Sequence, residues 1–187
     1  KKSWKVSGPA ERITSGAGMQ FGASVLRDGR LVYSNLVWIT SILTLEAKPD
    51  QGLVSGHIVP VAEDAMAKFS PSLSRDGSKL AYSAFGGVQK PRSELRLRDL
   101  RKGEEKAFPM STVQINLNPR ISPDGAVIAY RLISGGKAKT FIVSEKDPAG
   151  REICDGCTIL GFYSDPNFAV TRESDERRAS YNLANPE

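Results

Sequence analysis

The sequence predicts an all-β chain assembled from about four repeats, each a four-stranded antiparallel sheet of ~48 residues. Three observations carry that expectation. Asp28-Gly29, Asp76-Gly77 and Asp124-Gly125 are spaced 48 residues apart. Val6-Ser7-Gly8 returns as Val54-Ser55-Gly56, again 48 residues on. Around the Asp-Gly pairs, short runs alternate apolar with polar side chains, which is strand period and not helix period.

The repeat at its clearest contains four runs. "PSLS" and "KLAYSA" flank Arg75-Asp76-Gly77-Ser78. An Asp-Gly pair between such runs signals a tight hairpin, because Gly reaches positive φ without a Cβ clash and Asp bonds the backbone downstream. The third run, "SELRLRDL" at 93–100, places Leu95 and Leu97 on one face and Glu94, Arg96 and Arg98 on the other. A turn at 101–103 leads to the fourth run, "EEKAF". Four antiparallel strands in 40 to 50 residues make a β-propeller blade. A β-sandwich also has many short strands, but it has no reason to repeat at one period.

Along the chain the blades are expected at about 15–62, 63–110, 111–157 and 158–187, with inner strands near 21–26, 69–74, 117–122 and 158–164. "EDAMAKFS" at 63–70 reads as the connection between blades, although it could form a helical turn. The last blade has later strands near 168–172 and 179–183 and lacks a fourth. The segment 6–14 aligns with 54–62 and reads as an outer strand. That strand would complete the last blade in a closed ring; a segment of a longer propeller shows the same phase.

Composition fits a soluble globular chain: 187 residues, 40% apolar, 25% charged, net charge +5. The longest apolar run, 36–47, is about half of the roughly 20 residues that span a bilayer, so no membrane insertion by this segment is expected. The first residues lack the apolar core of an intact signal peptide. Arg92, Arg96, Arg98, Arg101 and Lys102 cluster in sequence. They read as a solvated strand face and turn, with a patch for an acidic partner as the alternative. Without a dense basic run or interleaved aromatics, no nucleic-acid binding is expected.

No catalytic residues, metal ligands or cofactor are assigned. Asp28, Asp76 and Asp124 belong to repeated turns with Gly29, Gly77 and Gly125, and structural capping is the expected role. Cys154-Asp155-Gly156-Cys157 is the one local chemical motif. Zinc needs four ligands, and the chain offers two Cys and one His, His57. A thioredoxin-like site needs a βαβ setting. A local disulfide in an oxidising compartment and two free thiols in the cytosol remain open. "TSGAG" at 14–18 lacks the spacing of a nucleophile elbow. "SGGK" at 134–137 reads as a hairpin turn and not a phosphate loop. Trp4 and Trp38 read as packing residues.

"SPSLSRDGSKLAYSA" and "NPRISPDGAVIAYR" resemble the S-P-D-G-x-x-I/L-A-Y/F signature of TolB-type, WD-repeat-like β-propellers. The order "ERITSGAGMQFGASVLRDGRLVYS", "PSLSRDGSKLAYS", "PRISPDG", "CDGC" is similar to propeller regions that follow bacterial serine/threonine kinase domains and winged-helix regulators. The resemblance covers about 12–161. Arg27 and Arg75 depart from it, standing where Pro is usual, while Pro123 keeps the pattern. In "YSDPNFAVT" Pro166 replaces the expected Gly, so that turn must differ. The kinase motifs are absent from this sequence.

The resemblance implies a non-catalytic module that binds a protein partner or a small ligand, as sensor or scaffold in bacterial signalling, with oligomers possible. Related propellers imply two alternatives: the gating propeller of a prolyl-oligopeptidase-type hydrolase, or a TolB-like periplasmic interaction protein. An extracytoplasmic setting is implied over a cytoplasmic one, which favours the Cys154–Cys157 disulfide.

Overall fold

A computed structural model describes residues 9, 19–36, 40–62, 64–86, 92–110, 117–134, 136–173 and 177–183. The segment 6–14, apart from Pro9, lies outside them, as do Trp4, Trp38 and 14–18. The chain divides into two units, 1–38 and 39–187, described separately.

In the first unit β1 (Met19–Val25) pairs antiparallel with β2 (Leu31–Leu36). The turn between them contains Asp28-Gly29, with Gly29 at φ +85°. Phe21, Val25, Val32 and Tyr33 remain exposed.

The second unit opens with β3 (Ile42–Lys48), a single 3-10 turn (Pro49–Gln51) and β4 (Leu53–Ala62), which form a two-stranded sheet. Next come β5 (Ala67–Leu73), β6 (Lys79–Gly86), β7 (Arg92–Asp99) and β8 (Glu105–Pro109). They make a four-stranded sheet in chain order, the second blade. The third blade repeats this with β9 (Arg120–Ile121), β10 (Val127–Ser134), β11 (Lys137–Ser144) and β12 (Arg151–Asp155). The fourth sheet has three strands, β13 (Cys157–Phe162), β14 (Phe168–Glu173) and β15 (Arg178–Asn182). Every pairing is antiparallel.

The first repeat departs from the expectation of one four-stranded blade. It forms two separate two-stranded sheets, because β2 and β3 are not hydrogen-bonded to each other. Most of their side chains stay exposed, so little burial offsets the entropy of ordering a wider sheet. The described residues do not close a ring.

Sheets of the second unit are cemented by three apolar clusters, each spanning one junction. Ile42 and Ala62 at the root of the β3–β4 hairpin pack with Met66, Leu80, Tyr82 and Ala84 of the second blade. Ala81, Leu95, Leu97 and Phe108 on that blade's other face meet Ile121, Ile128, Tyr130 and Val143 of the third. Ala129 and Ile153 then meet Ile159, Ala169 and Leu183 of the fourth. Strand alternation makes this possible: Leu80 and Tyr82 serve one junction and Ala81 the next. At Gly125 the second and third blades touch closely. Its φ is +72°, and a Cβ there would lie 2.8 Å from Lys79 Cδ.

Candidate functional site

The three Asp-Gly turns share one hydrogen-bonding scheme, most complete in the second and third blades. Asp76 Oδ1 accepts bonds from the Ser78 amide (3.0 Å), Ser78 Oγ (2.7 Å) and Ser74 Oγ (2.8 Å). Ser74 Oγ in turn accepts the Lys79 amide at 3.0 Å. In the third blade Asp124 Oδ1 accepts from Ser122 Oγ (2.6 Å) and the Ala126 amide (3.1 Å), and Ser122 Oγ accepts the Val127 amide. In the first turn Leu26 occupies the serine position, and Asp28 instead holds the amide and guanidinium of Arg30. These bonds favour the ionised acid. The Ser78 amide and hydroxyl, with the Ser74 hydroxyl, hold Asp76 at about 2. The Ser122 hydroxyl lowers Asp124, and Arg30 lowers Asp28.

The fourth turn keeps the acid and loses the glycine. Asp165 Oδ1 still accepts the amide two residues on, from Asn167 at 2.9 Å, as Asp124 does from Ala126. Gly77 and Gly125 donate their amides back to Ser74 O and Ser122 O. Pro166 has no N–H to donate, and the Phe168 amide bonds Asp165 O instead.

Arg75, the departure from the proline pattern, ties successive turns together. Its amide donates to Pro123 O at 2.9 Å, and its Nη2 donates to Ser164 Oγ at 3.1 Å. A proline at 75 could make neither bond.

Inside the second blade lies a polar cluster that the sequence reading assigned to a solvated face. Glu94 and Arg96 do lie opposite Leu95 and Leu97, but both are buried. Arg96 Nε donates to Glu94 Oε2 at 2.9 Å, Nη1 to Glu105 Oε1 at 3.0 Å and to Asp64, and Nη2 contacts Met66 Sδ at 3.1 Å. The Tyr82 hydroxyl donates to Glu105 Oε2. Lys68, also buried, donates to Asp64 Oδ1 at 2.8 Å and to Met66 O at 2.9 Å. Buried charge is tolerated here because each ion has several partners. Burial works to raise the Asp64 carboxyl, but bonds from Lys68, the Met66 amide and Arg96 bring it down to about 2. Burial and the bond to Glu105 push the Tyr82 phenol well above its usual range. Burial opposes the Arg96 charge, yet its carboxylate partners hold the guanidinium protonated. Arg92, Arg101 and Lys102 are exposed and Arg98 is half-buried, so the correction concerns Arg96 alone.

A groove of about 370 Å³ opens where the second and third blades meet. Lys79, Lys102, Lys106, Glu104 and Glu145 line it. Lys79 Nζ bonds Glu145 Oε1 at 3.2 Å, and Lys106 Nζ reaches Glu145 O at 3.4 Å, so a third-blade turn is latched onto the second blade. Lys106 also lies over the Phe108 ring, 5.5 Å from its centre.

Cys154 and Cys157 are joined as a disulfide, with Cα atoms 5.8 Å apart. It spans the step from β12 to β13, between third and fourth blades, with Gly156 at φ +85° in the bend. Thr140 Oγ1 donates to Cys157 O at 2.6 Å. His57 is exposed on β4. Ser134 pairs with Lys137 across a two-residue hairpin loop. Among the described residues, no three His, Cys, Asp or Glu side chains are grouped to hold a metal. Among them, too, no helix is long and apolar enough to cross a membrane.

No protein-family model and no curated protein matches the chain. Solved structures do match. TolB from Acinetobacter baumannii aligns over 70% of this chain and 33% of its own, at 17% identity and a TM-score of 0.56. The β-propeller domain of the Trilobed protease from Pyrococcus furiosus aligns over 65% and 40%, at 15% identity and 0.52. A putative TolB from Agrobacterium tumefaciens aligns over 70% and 48%, at 17% identity and 0.51. The fold is that of a TolB-like β-propeller. At these identities the likeness is one of fold alone. The chain spans about a third of the length of the Acinetobacter TolB.

The sequence pointed to the Asp-Gly turns and missed Arg75 and the Arg96 cluster. One signal for the cluster was present: Arg98 and Glu105, of opposite sign, pair across neighbouring strands beside Arg96.

Proposed function

We propose that this chain is a non-catalytic propeller module whose partner docks at the rim where the second and third blades meet. The observation that carries this is the groove lined by Lys79, Lys102, Lys106, Glu104 and Glu145. Its walls come from turns of two blades that the sheets hold in register, the usual design of a binding site built on a rigid scaffold. Charges of both signs suit a protein surface or a small zwitterionic ligand. The turn acids support a non-catalytic role, since Asp76 and Asp124 spend their carboxylates on their own hairpins.

The wider setting in this reading is a sensor or scaffold portion of a bacterial signalling protein. The paired cysteines support an extracytoplasmic location, where such bonds persist. A second reading, the propeller portion of a peptidase, draws on the fold shared with the Trilobed protease propeller. The gene's flanking domains separate the two: a kinase domain with a membrane span supports the first, and a Ser-His-Asp domain the second.

The groove is tested by comparing native chain with a Lys102→Glu/Lys106→Glu variant as immobilised baits in extract of the source cells. A partner recovered roughly tenfold better by the native bait supports the reading. Equal recovery by both baits removes the groove as the docking site.

A further inference from the structure

The β3–β4 hairpin has one bare apolar face. On β3, Leu43, Leu45 and Ala47 share a side by alternation. The register puts Val54 opposite Ala47 and Pro60 opposite Leu43, and alternation back from Pro60 adds Ile58. All six are exposed, Leu45 at 46% and Val54 at 64% marking the extremes of the four large ones. Thr44, Glu46 and Lys48 take the other side, with Ile42, whose burial against Met66, Leu80 and Tyr82 shows which side the second blade covers. The bare face is therefore the one turned away from the second blade, and it contains no charged residue.

We propose that this face is the interface of a symmetric dimer, packed against the same face of a second copy of this chain. Size supports it. The six side chains offer on the order of 500 Å² per copy, near the upper end of what monomers leave bare. With a rim around them they approach the ~800 Å² that each partner of a specific complex buries. Chemistry supports it as well. An uncharged face does not select an acidic or basic partner; it selects an equally apolar surface, and a second copy supplies one of matching size. At every other sheet junction of this unit the cover for an aliphatic face is another sheet face. Two hairpins related by a two-fold axis, about 10 Å apart, reproduce that arrangement without leaving an unmatched patch.

The test is sedimentation velocity on the 187-residue chain from about 1 to 100 μM, for native protein, Ile58→Glu and Val54→Lys, with far-UV circular dichroism confirming that the variants are folded. The expected result is a native mass of twice 20.3 kDa at the upper concentrations. Each variant should be monomeric throughout, its dissociation constant raised at least a hundredfold. Both substitutions are at exposed positions, so an unchanged dichroism spectrum accompanies the expected result. A native chain that stays monomeric at 100 μM overturns the proposal and leaves the face to a different partner. A dimer that survives both variants overturns it, as does a mass that climbs past two copies with concentration, the mark of open-ended stacking. The groove experiment is independent, because the variants here leave Lys102 and Lys106 intact.

Discussion

In the second blade Tyr82 stands opposite Arg96; at the same place in the third, Tyr130 stands opposite Phe141. Backbone, register and direction agree: both tyrosines face the preceding sheet. The interiors are opposite in kind. Arg96 is held by Asp64, Glu94 and Glu105. Phe141 stacks on Tyr130 with ring centres 5.6 Å apart and planes 22° from parallel. The difference follows from what each blade packs against. The third blade meets a full sheet that presents Ala81, Leu95, Leu97 and Phe108. The second meets only the root of a hairpin, Ile42 and Ala62. With so little apolar cover, the face is closed by polar groups that satisfy one another, with Asp64 and Lys68 from the blade connection completing the cluster. The repeat fixes the backbone, and the neighbour selects the side chains.

The sharpest way to break this comparison is Arg96→Ala. It leaves three carboxylates facing each other, and a loss of about 3–5 kcal/mol is expected on urea unfolding. A loss below about 1 kcal/mol would show that the cluster is solvated in practice. Phe141→Ala, the matching cut in the third blade, removes a half-buried ring and its stacking partner. About 2–3 kcal/mol should go, with no change in the steepness of the salt dependence; a salt-sensitive loss would mean that charge matters there too. Arg75→Pro restores the residue that the third blade has in Pro123, so the backbone tolerates it. It deletes the bonds to Pro123 O and Ser164, and about 1 kcal/mod of stability should be lost; unchanged stability would make the clasp between turns incidental.

The smallest effect is with acid. Asp64 lies at about 2 in the folded chain against an ordinary 3.8, so its contribution is complete above about pH 4 and lost as pH falls towards 2. A third of the side chain reaches solvent, 34%, which screens the effect to on the order of 1 kcal/mol. Native protein should lose more stability than Asp64→Asn between pH 4 and 2. Parallel pH profiles would remove Asp64 from the account.

The blades were legible because each Asp-Gly hairpin is a local feature, set by Gly φ and an Asp bond two residues long, and local features repeat in sequence as they do in space. The contrast between the blades was not. Tyr82 and Tyr130 are 48 residues apart, but Arg96 and Phe141 are 45 apart. Five residues, 87–91, separate β6 from β7, whereas two, 135–136, separate β10 from β11, and the three-residue difference breaks the period. Alternation marked Glu94 and Arg96 as one face, but whether that face meets water depends on Asp64, 32 residues away from Arg96 in sequence. The fourth turn was hidden for a related reason. Its Asp165 lies 41 residues after Asp124, not 48, and its Pro166 disguises a cap that the acid still makes.

The central claim is that the second blade is closed by a coupled ionic cluster where the third uses an aromatic pair. A double-mutant cycle on Arg96→Ala and Asp64→Ala, read by urea unfolding at pH 7, tests it most directly. The account predicts that the double variant is more stable than the sum of the single losses allows, by about 1.5 kcal/mol or more. Losses that add to within about 0.5 kcal/mol would contradict it, showing that Arg96 and Asp64 act independently.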